Sequence, residues 1–192
     1  SSSLKAKISD AAERTMRLIA IAVYDGRYRD EIPNGMTLIS IAAIRDDVRS
    51  EARAAIADVT RAGIQVVMIT GDRAETAAAI AEEAGLLTSG KKVISSTELA
   101  QMTDSEVMKI LPRLCVVARA MPSDKSRLVR LAQRLNMVVG MTGDGVNDAP
   151  ALKRADVGFA MGGGAEAAAA AADIVIIDDN FKSVRNAVLY GR

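Results

Sequence analysis

Thr142-Gly143-Asp144-Gly145-Val146-Asn147-Asp148-Ala149-Pro150 directly follows an apolar run, Met137-Val138-Val139-Gly140-Met141, that reads as a buried β-strand. Two acidic residues four apart, an Asn between them and two glycines therefore stand where a strand gives way to a loop. In open α/β sheets, ligands bind at the carboxyl ends of strands. Glycine permits the tight turn and the close approach that a ligand needs there. Hard oxygen donors in that place suit Mg²⁺, which takes one or two carboxylates together with phosphate oxygens and water. A lone Gly-Asp-Gly is a common turn; the nine residues together are far more specific.

Two further segments have the same form. Ile64-Gln65-Val66-Val67-Met68-Ile69 reads as a strand ending in Thr70-Gly71-Asp72, with a helix from about Arg73 to Ala84. Thr70 offers a hydroxyl, Gly71 an unobstructed amide, and Asp72 a capping carboxylate for that helix. A phosphate at such a helix start meets free N–H groups and the positive end of the dipole. A plain strand, turn and capped helix would carry the same residues. The strand-like run Leu114-Cys115-Val116-Val117-Ala118 leads to Pro122-Ser123-Asp124-Lys125, with Leu128, Val129, Leu131 and Leu135 at helical spacing. Lys125 then falls in a first helical turn, where the dipole disfavours a cation. Its position there points to an anion to be held; a solvated surface lysine is the plain alternative.

Strands alternate with helices along most of the chain. Helices are expected at 48–62, 73–84, 104–111, 123–135 and 181–190, and strands at 64–69, 114–118, 137–141, 157–160 and 174–177. Ser95-Ser96-Thr97-Glu98 reads as a further helix start. This order predicts an α/β, Rossmann-like fold with a mostly parallel sheet covered on both faces. Ahead of it, Leu18–Tyr24 and Met36–Ile44 read as two strands joined by a polar loop. Composition agrees with a globular chain: 192 residues, 49% apolar, net charge +1. That balance gives no support for a nucleic-acid partner. No apolar run is long enough for a membrane helix. The chain has no histidine, which excludes a His-based triad or zinc site. Its single cysteine, Cys115, sits in an apolar strand and reads as a buried thiol.

The three loop motifs together resemble the phosphorylation domain of P-type cation-transporting ATPases, within the haloacid-dehalogenase-like fold group. Ile44-Arg45-Asp46-Asp47-Val48-Arg49 is similar to that family's D-P-x-R hinge, with Asp47 in place of Pro. Ala151-Leu152-Lys153-Arg154-Ala155-Asp156-Val157-Gly158 continues the second magnesium loop in the family manner. Asp178-Asp179-Asn180-Phe181 onward resembles the stretch leading into the next membrane helix, and the tail is more like calcium pumps than heavy-metal pumps. The resemblance covers about residues 36–192. At Gly162-Gly163-Gly164-Ala165-Glu166 and the six alanines that follow, this chain departs from the family pattern: Ala165 and Ala169 replace the usual Thr and Lys.

The resemblance implies the following roles. Asp144 is the Mg²⁺ carboxylate, with Asp148 at the same metal site and Asn147 supporting the phosphoryl site. Thr70 and Gly71 hold phosphoryl oxygens, and Asp72 orders their loop. Lys125 neutralises the transferred group. Asp46 and Arg49 organise the hinge and the nucleotide end. Residues 1–45 correspond to the end of a nucleotide-binding domain and 46–192 to the phosphorylation domain, cytoplasmic in the parent pump. ATP is the parent's substrate. The family's nucleophilic D-K-T-G-T motif has no counterpart here, and Asp124-Lys125-Ser126 is a decoy for it. The chain is accordingly expected to be an inactive piece of a calcium-pump-like translocase, partnered in the parent by nucleotide-binding, actuator and membrane domains. A catalytically silent module, or a free-standing phosphatase of the same fold, is the alternative. In the family fold the nucleophile's strand lies between those ending in Thr70 and Asp144. Its absence leaves two inner edges, which either Met36–Ile44 fills by insertion or strands 64–69 and 137–141 close by pairing.

Overall fold

Residues 2–13, 16–26, 34–44 and 48–191 are described by the structure, a computed structural model. The chain divides into two units, Ser1–Asp47 and Val48–Arg192. The first holds helix α1 (Ser2–Glu13) and an antiparallel pair, β1 (Arg17–Val23) and β2 (Thr37–Ile44). Arg17 stands opposite Ile44 and Val23 opposite Thr37. These are the two strands expected from the apolar runs at 18–24 and 36–44. Asp46 of the hinge motif lies outside the described residues.

The second unit is built from alternating helices and parallel strands, as the sequence predicts. Helix α2 (Ser50–Arg61) leads to β3 (Met68–Ile69) and α3 (Ala74–Glu83). Next come β4 (Lys92–Ser95), α4 (Ser96–Gln101), α5 (Asp104–Ile110), β5 (Leu114–Ala118) and α6 (Pro122–Arg134). Then follow β6 (Gly140–Gly143), α7 (Ala149–Arg154), β7 (Val157–Met161), α8 (Glu166–Ala171), β8 (Ile174–Ile176) and α9 (Phe181–Tyr190). Capping boxes start two of the helices: Ser95 with Glu98 opens α4, and Thr103 with Glu106 opens α5. Each box satisfies amide groups that a helix start leaves unpaired.

The parallel strands form two sheets of three, in the orders β4-β5-β3 and β6-β7-β8. In the first, β5 is buried throughout its length. Cys115, Val116 and Ala118 pack with Ala77 and Ala81 of α3. Leu114 and Val117 join Leu99, Val107, Leu128 and Leu131. Burial pushes the Cys115 thiol above its ordinary value, against a weaker pull from Lys91. In the second sheet, Met141 and Ala160 pack with Ala151, Leu152 and Ala168, and Phe159 and Ile176 with Val184 of α9. Helix α6 belongs to both cores: Leu128 and Leu131 serve the first and Val129 the second. Burying each such aliphatic side chain contributes about 1.5–3 kcal/mol.

The mostly parallel architecture is as expected, in two sheets, and the two ways of closing the inner edges are both overturned. Strand β2 takes β1 as its partner and does not enter either parallel sheet. Strands β3 and β6 form no ladder with each other. Strand β3 is also shorter than the apolar run 64–69, for only Met68 and Ile69 pair with Val116 and Val117. Ahead of them, Gln65 Nε2 donates to the carbonyls of Leu111 and Leu114 at 2.8 and 2.7 Å, replacing ladder bonds with side-chain bonds. In the second sheet the strand begins three residues later than its apolar run, at Gly140. The Val139 N–H is taken by the Asp156 carboxylate at 2.8 Å, and Val138 is 85% exposed.

Candidate functional site

The Pro122–Lys125 and Thr142–Pro150 motifs meet in one ion pair. Lys125 stands in the first turn of α6, and its Nζ donates to Asp148 Oδ1 at 2.5 Å. The anion that its place in the helix calls for is therefore supplied, in this structure, by the protein itself. Asp148 Oδ2 accepts the N–H groups of Asp144 at 3.1 Å and Gly145 at 3.2 Å. Its carboxylate is 6% exposed. Burial pushes the Asp148 carboxyl up, but the Lys125 ammonium and the Gly145 and Asp144 amides outweigh it and hold the group below its ordinary value. Asp148 thus stays ionised and folds the 143–148 loop around itself. Gly143 is required for this closeness, since a Cβ there would lie 2.5 Å from the Cβ of Asp148.

Asp144 is different. It is exposed at the end of β6, and its carboxylate has neither a hydrogen bond nor an ion pair with any described residue. A free carboxylate at a strand end, beside a loop rich in backbone oxygens, fits a hard cation that keeps several waters. No group of three or more His, Cys, Asp or Glu side chains suited to a metal exists among the described residues. The donor set therefore suits a cation completed by water and phosphate oxygens, not an all-protein cage. Asn147 is exposed in the same loop.

The Thr70-Gly71-Asp72 loop is fixed to the segment before α6. The Thr70 carbonyl accepts the Ala120 N–H at 2.9 Å, and the Asp72 carbonyl accepts the Arg119 N–H at 2.8 Å. The Thr70 hydroxyl donates to Asp72 Oδ2 at 2.8 Å and accepts the Asp72 N–H at 3.1 Å. Asp72 does not cap α3, as its sequence position predicts. Arg73 occupies the cap position with no side-chain bond, because its extended backbone carries the chain one residue further before the helix begins. The Gly71 N–H has no partner among the described residues.

Arg49 makes no hydrogen bond with the Lys125–Asp148 pair. It precedes α2, and its Nη1 donates to the Asp179 carbonyl at 3.2 Å. Two residues named in the sequence were given no site role there. Asp124, dismissed there as a decoy, is buried and accepts the Met121 N–H at 2.8 Å and the Ser96 hydroxyl at 2.6 Å. It anchors the helix start that carries Lys125, and its N3 position after Pro122 was the available signal. Ala165 donates its N–H to the Asp144 carbonyl at 2.6 Å. Nothing in the sequence near Ala165 announces that contact.

The profile of the haloacid dehalogenase-like hydrolases matches residues 9–156. The chain is 42% identical over 196 aligned residues to a putative plasma-membrane-type calcium-transporting ATPase 11 of Arabidopsis thaliana, covering 97% of this chain and 19% of that protein. It is 43% identical over 159 residues to calcium-transporting ATPase 1 of Lactococcus lactis, covering 83% of this chain and 18% of that protein. It therefore spans about a fifth of the length of these curated relatives. In fold it is similar to a zinc-transporting PIB-type ATPase solved in an E2.Pi state, with TM-score 0.69 and 24% identity over all of this chain and 25% of that one. The chain belongs to the haloacid dehalogenase-like hydrolase family, and within it matches the calcium-transporting P-type ATPases.

Proposed function

We propose that this chain is the phosphoryl-transfer module of an ATP-driven cation pump, with calcium as the transported ion. The observation that carries the reading is the Lys125–Asp148 pair beside the unpartnered Asp144 carboxylate. A cation and a free metal-type carboxylate stand together at strand ends, where charge on a transferred phosphoryl group must be neutralised. Phosphoryl transfer asks mainly for positioning and electrostatic stabilisation.

Asp144 would hold Mg²⁺, which when bound shields the charge of phosphoryl oxygens. Asp148 orders the loop and keeps Lys125 aimed; Asn147 is exposed in the same loop for a phosphoryl oxygen. The unpartnered Gly71 N–H offers a donor to the same group, and the Thr70 hydroxyl, which here donates to Asp72 Oδ2 and so holds that loop in shape, would have to turn from Asp72 to add a second. Arg49, and Asp46 beyond the described residues, belong to the hinge.

The acidic nucleophile would come on a further parallel strand between β3 and β6, supplied by polypeptide outside this sequence. Two features support that placement. Neither strand uses its second edge in any described ladder. The apolar run 64–69 is only half-buried, and Met137 and Val138 are exposed, where a central strand would be covered. Ile19, Ile21, Leu38 and Ile39 of the hairpin are also exposed, as surfaces for the remainder of a nucleotide-binding domain. No helix among the described residues is long and apolar enough to cross a membrane, so ion passage would fall to other parts of the pump.

The test is to fuse an apolar strand ending in Asp-Lys-Thr-Gly-Thr upstream of this chain and expose it to Mg²⁺ with ATP or acetyl phosphate. The expected result is an acid-stable phosphoaspartate on the added strand, lost in Asp144→Ala and Lys125→Ala. Absence of label, or labelling indifferent to both substitutions, would contradict the proposal.

A further inference from the structure

Because the Asp144 side chain is unpartnered, its direction is set by its backbone. The loop after β7 grips that backbone. The Ala165 N–H donates to the Asp144 carbonyl at 2.6 Å. Gly164 lies so close that a Cβ there would come within 2.5 Å of the same oxygen and 2.8 Å of the Asp144 Cα. The loop is in turn held from the turn that follows β8. The Gly163 N–H donates to Asp179 Oδ1 at 3.0 Å and Oδ2 at 3.2 Å. The Gly162 N–H donates to the Ile176 carbonyl at 2.8 Å. Asp179 reaches Gly163 from a left-handed backbone, φ 49°, a conformation that short polar side chains such as Asp and Asn adopt more readily than most.

We infer that Asp179 is a positioning residue for Asp144, acting through Gly163, Gly164 and Ala165. The inference deepens the proposed metal site and rests on it for its consequence. The carboxylate pulls Gly163 into place, which seats Gly164 under Asp144 and aligns the Ala165 N–H with the Asp144 carbonyl. Supporting contacts of this kind typically change metal affinity by about 10–100-fold. The absence of a side chain at Gly164 is part of the device, since any Cβ would push Asp144 away.

The test uses the whole chain and two substitutions at Asp179. Asp179→Gly removes the carboxylate while keeping the left-handed turn easy, and Asp179→Asn keeps an acceptor for the Gly163 N–H. In metal-free protein, Asp179→Gly is expected to raise the exchange rate of the Ala165 amide about tenfold and to shift the Asp144 amide signal, leaving β5 amides unchanged. With Mg²⁺, its affinity falls about tenfold, and Asp179→Asn restores most of both properties. An Ala165 exchange rate and Asp144 signal unchanged in Asp179→Gly would overturn the inference, as would equal acceleration at β5 amides. Should Asp179→Gly fail to fold, Gly164→Ala tests the same grip: a displaced Asp144 signal and weaker Mg²⁺ response support it, and wild-type behaviour overturns it. A wild-type chain that ignores Mg²⁺ while Ala165 still responds to Asp179→Gly would remove the metal reading and leave the structural link standing.

Discussion

Lys125 and Asp148 form a pair in which each partner is costly to leave alone. Their side chains are 21% and 6% exposed. Lys125→Met should cost about 2–3 kcal/mol, somewhat below the loss for a fully buried pair. The double variant Lys125→Met/Asp148→Asn should recover part of that loss, because no buried charge is orphaned. Denaturant melts of the two variants check this, and equal stability of both would refute it. The pair also has a pH signature. Asp148 is held below its ordinary value in the folded chain. Its contribution is thus fully present above the unfolded carboxyl value, about 3.9, and is lost as pH falls through the lower folded value. In Lys125→Met, burial meets less opposition, so the folded value moves toward the unfolded one and the acid-linked part of the stability loss should be smaller than in wild type. The loop ends that carry Asp144, Asp148 and Lys125 were legible in the sequence because their motifs are local, directly following apolar strand-like runs. Asp179 was not, because its partner Gly163 lies 16 residues away and the contact depends on a turn. Asp72 was misassigned for a related reason: a Thr two residues earlier competes for its carboxylate.

Among the elements, α6 does most to relate the two sheets, and Arg127 fixes what lies beside it. Its guanidinium donates to the carbonyls of Leu99 and Met102, each at 2.7 Å, and to Asp104 Oδ1 at 3.1 Å. Three parts of the α4–α5 region are thereby tied to the helix that presents Lys125. Arg127→Met should cost about 2–3 kcal/mol, since the Leu99 and Met102 carbonyls both lose their charged donor, while Asp104 keeps Arg130 and Arg134. Arg127→Lys should recover little, because an ammonium cannot span the same fork. Thermal melts of both variants decide the matter, and full stability in the Lys variant would contradict it. Several helices were read from periodicity and caps: α9 is found at the expected residues, and α4 begins at the Ser95–Glu98 start read from the sequence. The strands at the inner edges were not. Periodicity marks 64–69 and 137–141 as apolar, but ladder bonds require a neighbour, and Gln65 and Asp156 take over the backbone groups instead.

At the scale of the whole molecule, two parallel sheets among the described residues share helix α6 and carry the loops of the proposed phosphoryl site. The order β4-β5-β3 and then β6-β7-β8 leaves the two motif-bearing strands as the terminal strands. Alone, the chain should therefore form no acid-stable phosphoenzyme from ATP or acetyl phosphate; a phosphorylated Asp found by mass spectrometry after acid quench would refute this. The α/β class was legible from the alternation of strands and helices, whereas the division into two sheets was not, because sequence pattern does not report which edges meet. The most direct test of the proposed site is a Mg²⁺ titration of this chain, following the amide signals of Gly143 and Gly145. The account expects a saturable, weak response in the millimolar range that Asp144→Ala abolishes. No response at high millimolar Mg²⁺, or the same response in Asp144→Ala, would contradict it.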